Sequence, residues 1–466
     1  GIATLTGTEL GLVTVMYSAQ KGFVGGFAAF HIALLVAGVT LVVGLTGFII
    51  GALRRHEVLT ISEFYGKRYG KDVQIAGGLV LAFAGILNMG MFLRAGSIFI
   101  VGVSGLPMAG GALFWIMLAL LALVLFYTIL GGMVSVVLTD YVQFVVLSFG
   151  LLLATGLALW RFGWSDIVAH MAELKGEAGF NPLLEESGFG PSYALWQLFL
   201  GLVSCAIWPA AVARALAAKD ERTVRRQFAW SALSLSIRFL IPYFWGICAF
   251  VLITQTPELK AAFFPAGSAQ GADSLYAMPV FLGRLLPAGI IGLITAAMIA
   301  AFMSTHDSYF LCWSSVLTND VVLPLAGGKL SQRTQVWIAR AFILAIGVAI
   351  FTISFAYPLS EDLWDYLGIS GAIYSTGAFA LLGAGLYWKR ASRVGAYGAL
   401  FAGMLSIFGL STVSQAVFVS LLGWDAAWVE ENFTVARVGL GAVALAFILM
   451  AAGSLLFPNR HKEAAT

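Results

Sequence analysis

The chain has 466 residues, of which 60% are apolar and only 11% charged, with a formal net charge of +3. An ordinary soluble domain is about 25% charged, so this composition excludes a soluble globule and points to a chain that lives in lipid. The basic residues sit in a few loops, so the small positive charge carries no nucleic-acid signal. Gly is frequent, at 53 residues, which suits closely packed membrane helices. The three cysteines, Cys205, Cys248 and Cys312, all fall inside apolar runs and form no disulfide or metal spacing. The chain begins at Gly1, in the middle of an apolar stretch, and is read as a truncated start.

Apolar runs of membrane-spanning length fall at about 1–20, 24–53, 73–103, 111–130, 135–160, 192–217, 227–254, 276–323, 333–356, 362–388, 394–421 and 435–457. This predicts roughly a dozen spans. The run from 276 is too long for one crossing at about 1.5 Å per residue and predicts a short helix outside the membrane at its start. Basic residues mark alternate loops: Arg54, Arg55, Lys67, Arg68 and Lys71; Arg214, Lys219, Arg222, Arg225 and Arg226; Lys329 and Arg333; Lys389, Arg390 and Arg393. The loops between are poor in Lys and Arg, and 161–191 and 423–434 are acidic. The positive-inside rule turns the basic set to the cytoplasm, as expected of a multi-pass protein of the cell inner membrane or plasma membrane.

Charged groups at membrane depth cost at least ~2.5–3.5 kcal/mol each and are functional candidates by default. They are Glu9, Arg94, Asp140 and Arg238, together with Ser304-Thr305-His306-Asp307-Ser308. On a helix Ser304 and Ser308 share a face, flanked by Thr305 and Asp307. Such a set of oxygens suits a hard cation; the alternative is hydroxyls bonded to their own preceding turn. Two spans are interrupted, the first at Gly7-Thr8-Glu9-Leu10-Gly11 and the sixth at Ser204 to Pro209. Paired breaks, five spans apart, fit two inverted five-helix repeats with a transport site at the breaks. The repeats would run over 1–160 and 192–388, with an extracellular loop at 161–191 and further helices over 389–466.

Several motifs then carry a resemblance. They are Thr60-Ile61-Ser62-Glu63-Phe64 followed by Lys67-Arg68-Tyr69-Gly70; Tyr127-Thr128 with Gly131-Gly132 and Thr139-Asp140-Tyr141-Val142-Gln143; Arg214 to Asp220; Met303-Ser304-Thr305 with Asp307-Ser308; and Trp388-Lys389-Arg390. In this order the chain resembles the sodium:solute symporter family, which includes sodium–glucose, sodium–proline and sodium–sialic acid transporters. The resemblance implies an all-α membrane protein with the LeuT-type five-plus-five inverted repeat and additional C-terminal helices. It implies Na⁺ as coupling ion, a small-molecule solute and the lipid bilayer as partners, a monomer or weak oligomer, and no enzymatic activity. The main sodium site it implies uses backbone carbonyls of Gly7, Leu10 and Ala301 and the hydroxyls of Ser304 and Thr305. A second sodium falls on Ser304, Asp307, Ser308 and Asp140, with Asp307 where the family often has Ser. The early part of the second span, Ala28 to Leu35, lacks the acid that the sugar transporters carry there. Arg94 falls near the position where sialic acid transporters hold a carboxylate, and guanidinium matches a carboxylate by its two-pronged donors. The expected solute is therefore carboxylate-bearing or zwitterionic, held by Arg94 and Glu9; the alternative is that these two pair with each other. Two other readings compete: a proton-coupled carrier on the same fold, and a transporter-like membrane sensor, against which the end at Thr466 weighs.

Overall fold

The computed structural model describes residues 11–58, 60–108, 111–130, 133–266 and 271–459; the side chains of 130, 133–144, 210, 213, 214 and 217 lie outside the description. The core helices are α1 (Leu12–Gly25), α2 (Phe30–Thr46), α3 (Ile61–Tyr69), α4 (Lys71–Met89), α5 (Phe92–Ser104), α6 (Ala112–Leu130), α7 (Met133–Phe162), α8 (Pro191–Ala206), α9 (Pro209–Ala217), α10 (Glu221–Gln255), α11 (Ala288–Ser315), α12 (Gln332–Ala356), α13 (Leu363–Tyr387), α14 (Arg393–Met404) and α15 (Val435–Leu456). Among the described residues nine helical stretches are long and apolar enough to cross a membrane. A tenth is a bent pair, Arg393–Gly409 and Ser411–Leu421, meeting at 91°. The dozen spans expected from apolar runs are therefore redistributed. The first run is described only from Gly11 and continues through a 3₁₀ turn into α2. The sixth is two half-length helices, α8 and α9. The overlong eighth run resolves as expected into a short outer helix, Ala277–Leu285, and then α11, with Pro287 between them.

The break in the sixth span has a local cause. Pro209 has no N–H to donate and so begins a helix rather than continuing one. Ile207 and Trp208 lie outside helical geometry, and α9 starts with Pro209 in its first turn.

Helices α1, α2 and α10 pack backbone against backbone. A Cβ built on Gly22 would run into the Tyr243 carbonyl, one on Gly246 into the Ala19 carbonyl, and one on Gly44 into the Ala229 amide. Small residues at such crossings replace the hydrophobic drive that lipid removes.

The motif around residue 60 is a structural clamp. The Thr60 hydroxyl accepts from Glu63 N at 3.0 Å and caps α3. Arg68 donates to the carbonyls of Gly385, Trp388 and Lys389, the unsatisfied end of α13. Tyr69 adds a bond to Leu381 O at 2.8 Å, and Tyr65 meets Tyr374 hydroxyl to hydroxyl at 3.1 Å. The Lys67-Arg68-Tyr69-Gly70 and Trp388-Lys389-Arg390 motifs are thus two sides of one contact.

Candidate functional site

A cavity of about 400 Å³ lies beside the start of α1 and the break between α8 and α9, lined also by α2, α10, α11 and α13. Its size falls in the range of small-molecule sites, roughly 300–1,000 Å³. Its wall is rich in aromatic residues, among them Tyr17, Phe92, Trp208, Phe239, Tyr309 and Trp364. The indole N–H of Trp208 donates to the Tyr309 hydroxyl at 3.3 Å, so the residue at the break in the sixth span is tied to α11. Polar groups converge at a few points: Thr14, Asn88, Arg238, Thr305 and Ser308.

The oxygen cluster on α11 divides between faces. Thr305 and Ser308, one turn apart, line the cavity. Thr305 Oγ1 donates to Ala301 O at 2.9 Å, which leaves its lone pairs outward. A Cβ on Gly11 would lie 2.9 Å from this same hydroxyl, so the chain entering α1 passes directly over it. Asp307 points away from the cavity, is 1% exposed, and accepts from the Thr128 hydroxyl of α6. His306 is fully buried among the rings of Phe92, Phe302 and Phe310, with Nδ1 2.9 Å from Phe302 O. Gly7, Glu9 and Leu10 lie outside the described residues, and so does the side chain of Asp140, whose backbone belongs to α7.

Arg94 does not line the cavity. Its Nη1 donates to the Tyr357 carbonyl at 2.9 Å. Its charge also reaches Asp273 in the outer loop: burial pushes the Asp273 carboxyl up, while a bond from Leu275 N and the Arg94 guanidinium draw it back. The charge that does line the cavity is Arg238 of α10, 6% exposed, with its guanidinium 4.5 Å from the Phe239 ring centroid. Its depth in the seventh span marked it in the sequence; its direction did not.

The outer end holds an ion cluster that sequence reasoning missed. Lys21, near the end of α1, is 2% exposed. Its Nζ donates to Asp362 at 2.9 Å and Asp365 at 2.6 Å, at the start of α13. The Tyr193 hydroxyl of α8 donates to Asp365 at 2.6 Å. Gln20 seals the same seam, accepting from Leu363 N and donating to Ser274. Beyond it the Phe23 ring packs at 5.7–5.9 Å against Phe250, Phe263 and Phe264. A lysine at a span end with two acids spaced i, i+3 at the head of another span was the available signal.

A model of the sodium:solute symporter family matches residues 2–405. The sodium/glucose cotransporter of Vibrio parahaemolyticus is 27% identical over 361 residues, covering 73% of this chain and 64% of that protein. The sodium/pantothenate symporter of Haemophilus influenzae is 26% identical over 439 residues, 90% of this chain and 84% of that protein. The sodium/proline symporter of Staphylococcus aureus is 25% identical over 366 residues, 75% and 65%. The chain thus spans less than two thirds of the length of some of the curated relatives it matches. Among solved structures, a Na⁺-coupled sialic acid symporter in a substrate-bound outward-open state superposes with a TM-score of 0.74 at 18% identity, covering 98% of this chain and 89% of that one. MhsT in complex with L-phenylalanine gives 0.53 at 14% identity, with 97% of each chain covered. These likenesses establish the LeuT-type fold. With the family match running from residue 2 to 405, the chain belongs to the sodium:solute symporter family.

Proposed function

We propose that the protein is a sodium-coupled symporter of a small organic anion or zwitterion, working by alternating access. The observation that carries this reading is that Arg238 and Thr305 line one aromatic-rich cavity beside the break between α8 and α9. The relatives named for sodium and glucose, proline or pantothenate support sodium as the coupled ion. Thr305, Ser304 and the carbonyl of Ala301 would supply sodium ligands, joined by Gly7 and Leu10 from the stretch that leads into Gly11. A second sodium would use Asp307, Ser308 and Asp140. Arg238, rather than Arg94, would hold the solute carboxylate with its two-pronged donors. The aromatic wall would take the apolar remainder, and the Lys21 cluster would form the outer gate.

Uptake of labelled carboxylates, amino acids and sugars into proteoliposomes, with and without a sodium gradient, tests the reading. Sodium-dependent uptake of a carboxylate is expected. Arg238→Lys keeps the charge but loses the fork, and should raise KM for that solute about tenfold, or about 1.4 kcal/mol. Wild-type KM in this variant, or sodium-free uptake driven by a pH gradient, counts against the reading.

A further inference from the structure

At the N-terminal end of α10 lies a second hollow of about 620 Å³, which shares no lining residue with the first cavity. Leu45 of α2 and Glu221, Arg222, Arg225, Arg226 and Ala229 of α10 surround it. Arg225 is fixed across the groove by donating to the Leu45 carbonyl. Glu221 is partly neutralised by Arg55, 3.7 Å away. Among the described residues, neither Arg222 nor Arg226 has a salt bridge, and both are exposed. Three guanidinium groups thus share a groove with one carboxylate that already has a partner.

What lies below these arginines identifies the ligand. On the same face of α10, Arg222 and Arg226 are followed by Trp230, Leu233 and Ile237, which are 70%, 67% and 49% exposed. These fall at helical spacing, so one stripe runs from guanidinium through indole to aliphatic side chains. Facing it on α2, Leu41, Val42 and Leu45 are also exposed. One helical turn below Arg226, about 6 Å along the axis, Trp230 sits where indoles prefer the headgroup boundary. Free phosphate would need none of this apolar surface. A lipid would use all of it.

We propose that this groove is a binding site for an anionic phospholipid of the cytoplasmic leaflet. The phosphate is held by Arg222 and Arg226, and the acyl chains lie along the Trp230–Leu233–Ile237 stripe and the exposed face of α2. The arginines donate paired N–H groups to the phosphate oxygens. They repel the trimethylammonium of phosphatidylcholine, so the site discriminates by headgroup charge. The lipid occupies the inner seam of α2 and α10, the pair already joined by the close approach at Gly44.

Native mass spectrometry of the protein released from nanodiscs of mixed phosphatidylglycerol and phosphatidylcholine tests this. Retained lipid should favour phosphatidylglycerol, with a gain of about fivefold per arginine, the attraction of one basic side chain to an anionic surface. Arg222→Gln/Arg226→Gln should abolish that preference. Arg333→Gln/Arg340→Gln, which removes the same charge from the exposed start of α12, should keep it. No preference in the unmutated protein, or full preference in Arg222→Gln/Arg226→Gln, overturns the proposal. Hydrogen exchange of the unmutated protein serves if that variant does not fold. Residues 221–226 should exchange more slowly in phosphatidylglycerol than in phosphatidylcholine, and equal exchange overturns the assignment. Millimolar inorganic phosphate in phosphatidylcholine nanodiscs should not reproduce the protection. If it does, the site takes free phosphate and the lipid assignment is wrong.

Discussion

At the outer end of the cavity, a lysine and two aspartates from helices far apart in sequence satisfy one another. On the flank formed by α11, hydroxyls and one carboxylate gather on neighbouring turns of a single helix. Both regions place costly polar groups at membrane depth, and they differ in what completes them. The outer cluster is closed: Lys21 meets Asp362 and Asp365, and Tyr193 takes the remaining position on Asp365. The α11 cluster turns Thr305 and Ser308 toward an opening. A closed cluster contributes to holding helices together, while one facing a cavity has room for a ligand. The distinction lies in tertiary geometry, since both regions offer the same residue types.

The comparison can be broken from either side. Lys21→Met leaves two carboxylates facing each other in a buried seam, and removing one partner of such a set costs about 3–5 kcal/mol. A clear fall in melting temperature in detergent is expected, with part of it recovered in Lys21→Met/Asp365→Asn. An unchanged melting temperature would show that the outer cluster holds nothing. Ser304→Ala/Thr305→Ala should do the reverse. Stability should change little, while half-saturation by sodium rises about tenfold or more, because a hydrogen bond or ligand bond to a charged group is worth about 1.5–3 kcal/mol. Unchanged sodium activation in that double variant would sink the ion-site assignment. The smallest effect is expected at the clamp. Arg68→Gln uncaps α13 at a partly exposed site, lowering stability by about 1–2 kcal/mol and leaving the sodium half-saturation alone. A shift in sodium dependence there would mean that the inner clamp and the ion site are coupled.

Much of the architecture was legible because lipid imposes it. A bilayer demands long apolar runs, and the break before Pro209 follows from one missing donor. The oxygen cluster was legible because its members adjoin in sequence and helical spacing sets their faces. The solute-side charge was harder. Arg94 and Arg238 have equal standing as buried cations in the sequence, and only the rotation of each helix about its axis separates them. One turns to the Tyr357 carbonyl, the other to the cavity. Lys21 was missed because it stands one residue beyond the assigned end of its span. Its partners are 341 and 344 residues away, so no local pattern joins them.

The glycine crossings have a mechanical consequence. Where backbones approach this closely, a side chain larger than Gly would force the two helices apart. Gly22 and Gly246 thus join α1 to α10 backbone to backbone, and Gly44 joins α2 to the same helix. Lys21, Arg238 and the stretch passing over Thr305 all belong to these joined helices. The Lys21 seam, the Arg238 wall of the cavity and the entry to α1 at Gly11 are therefore parts of one backbone-packed unit.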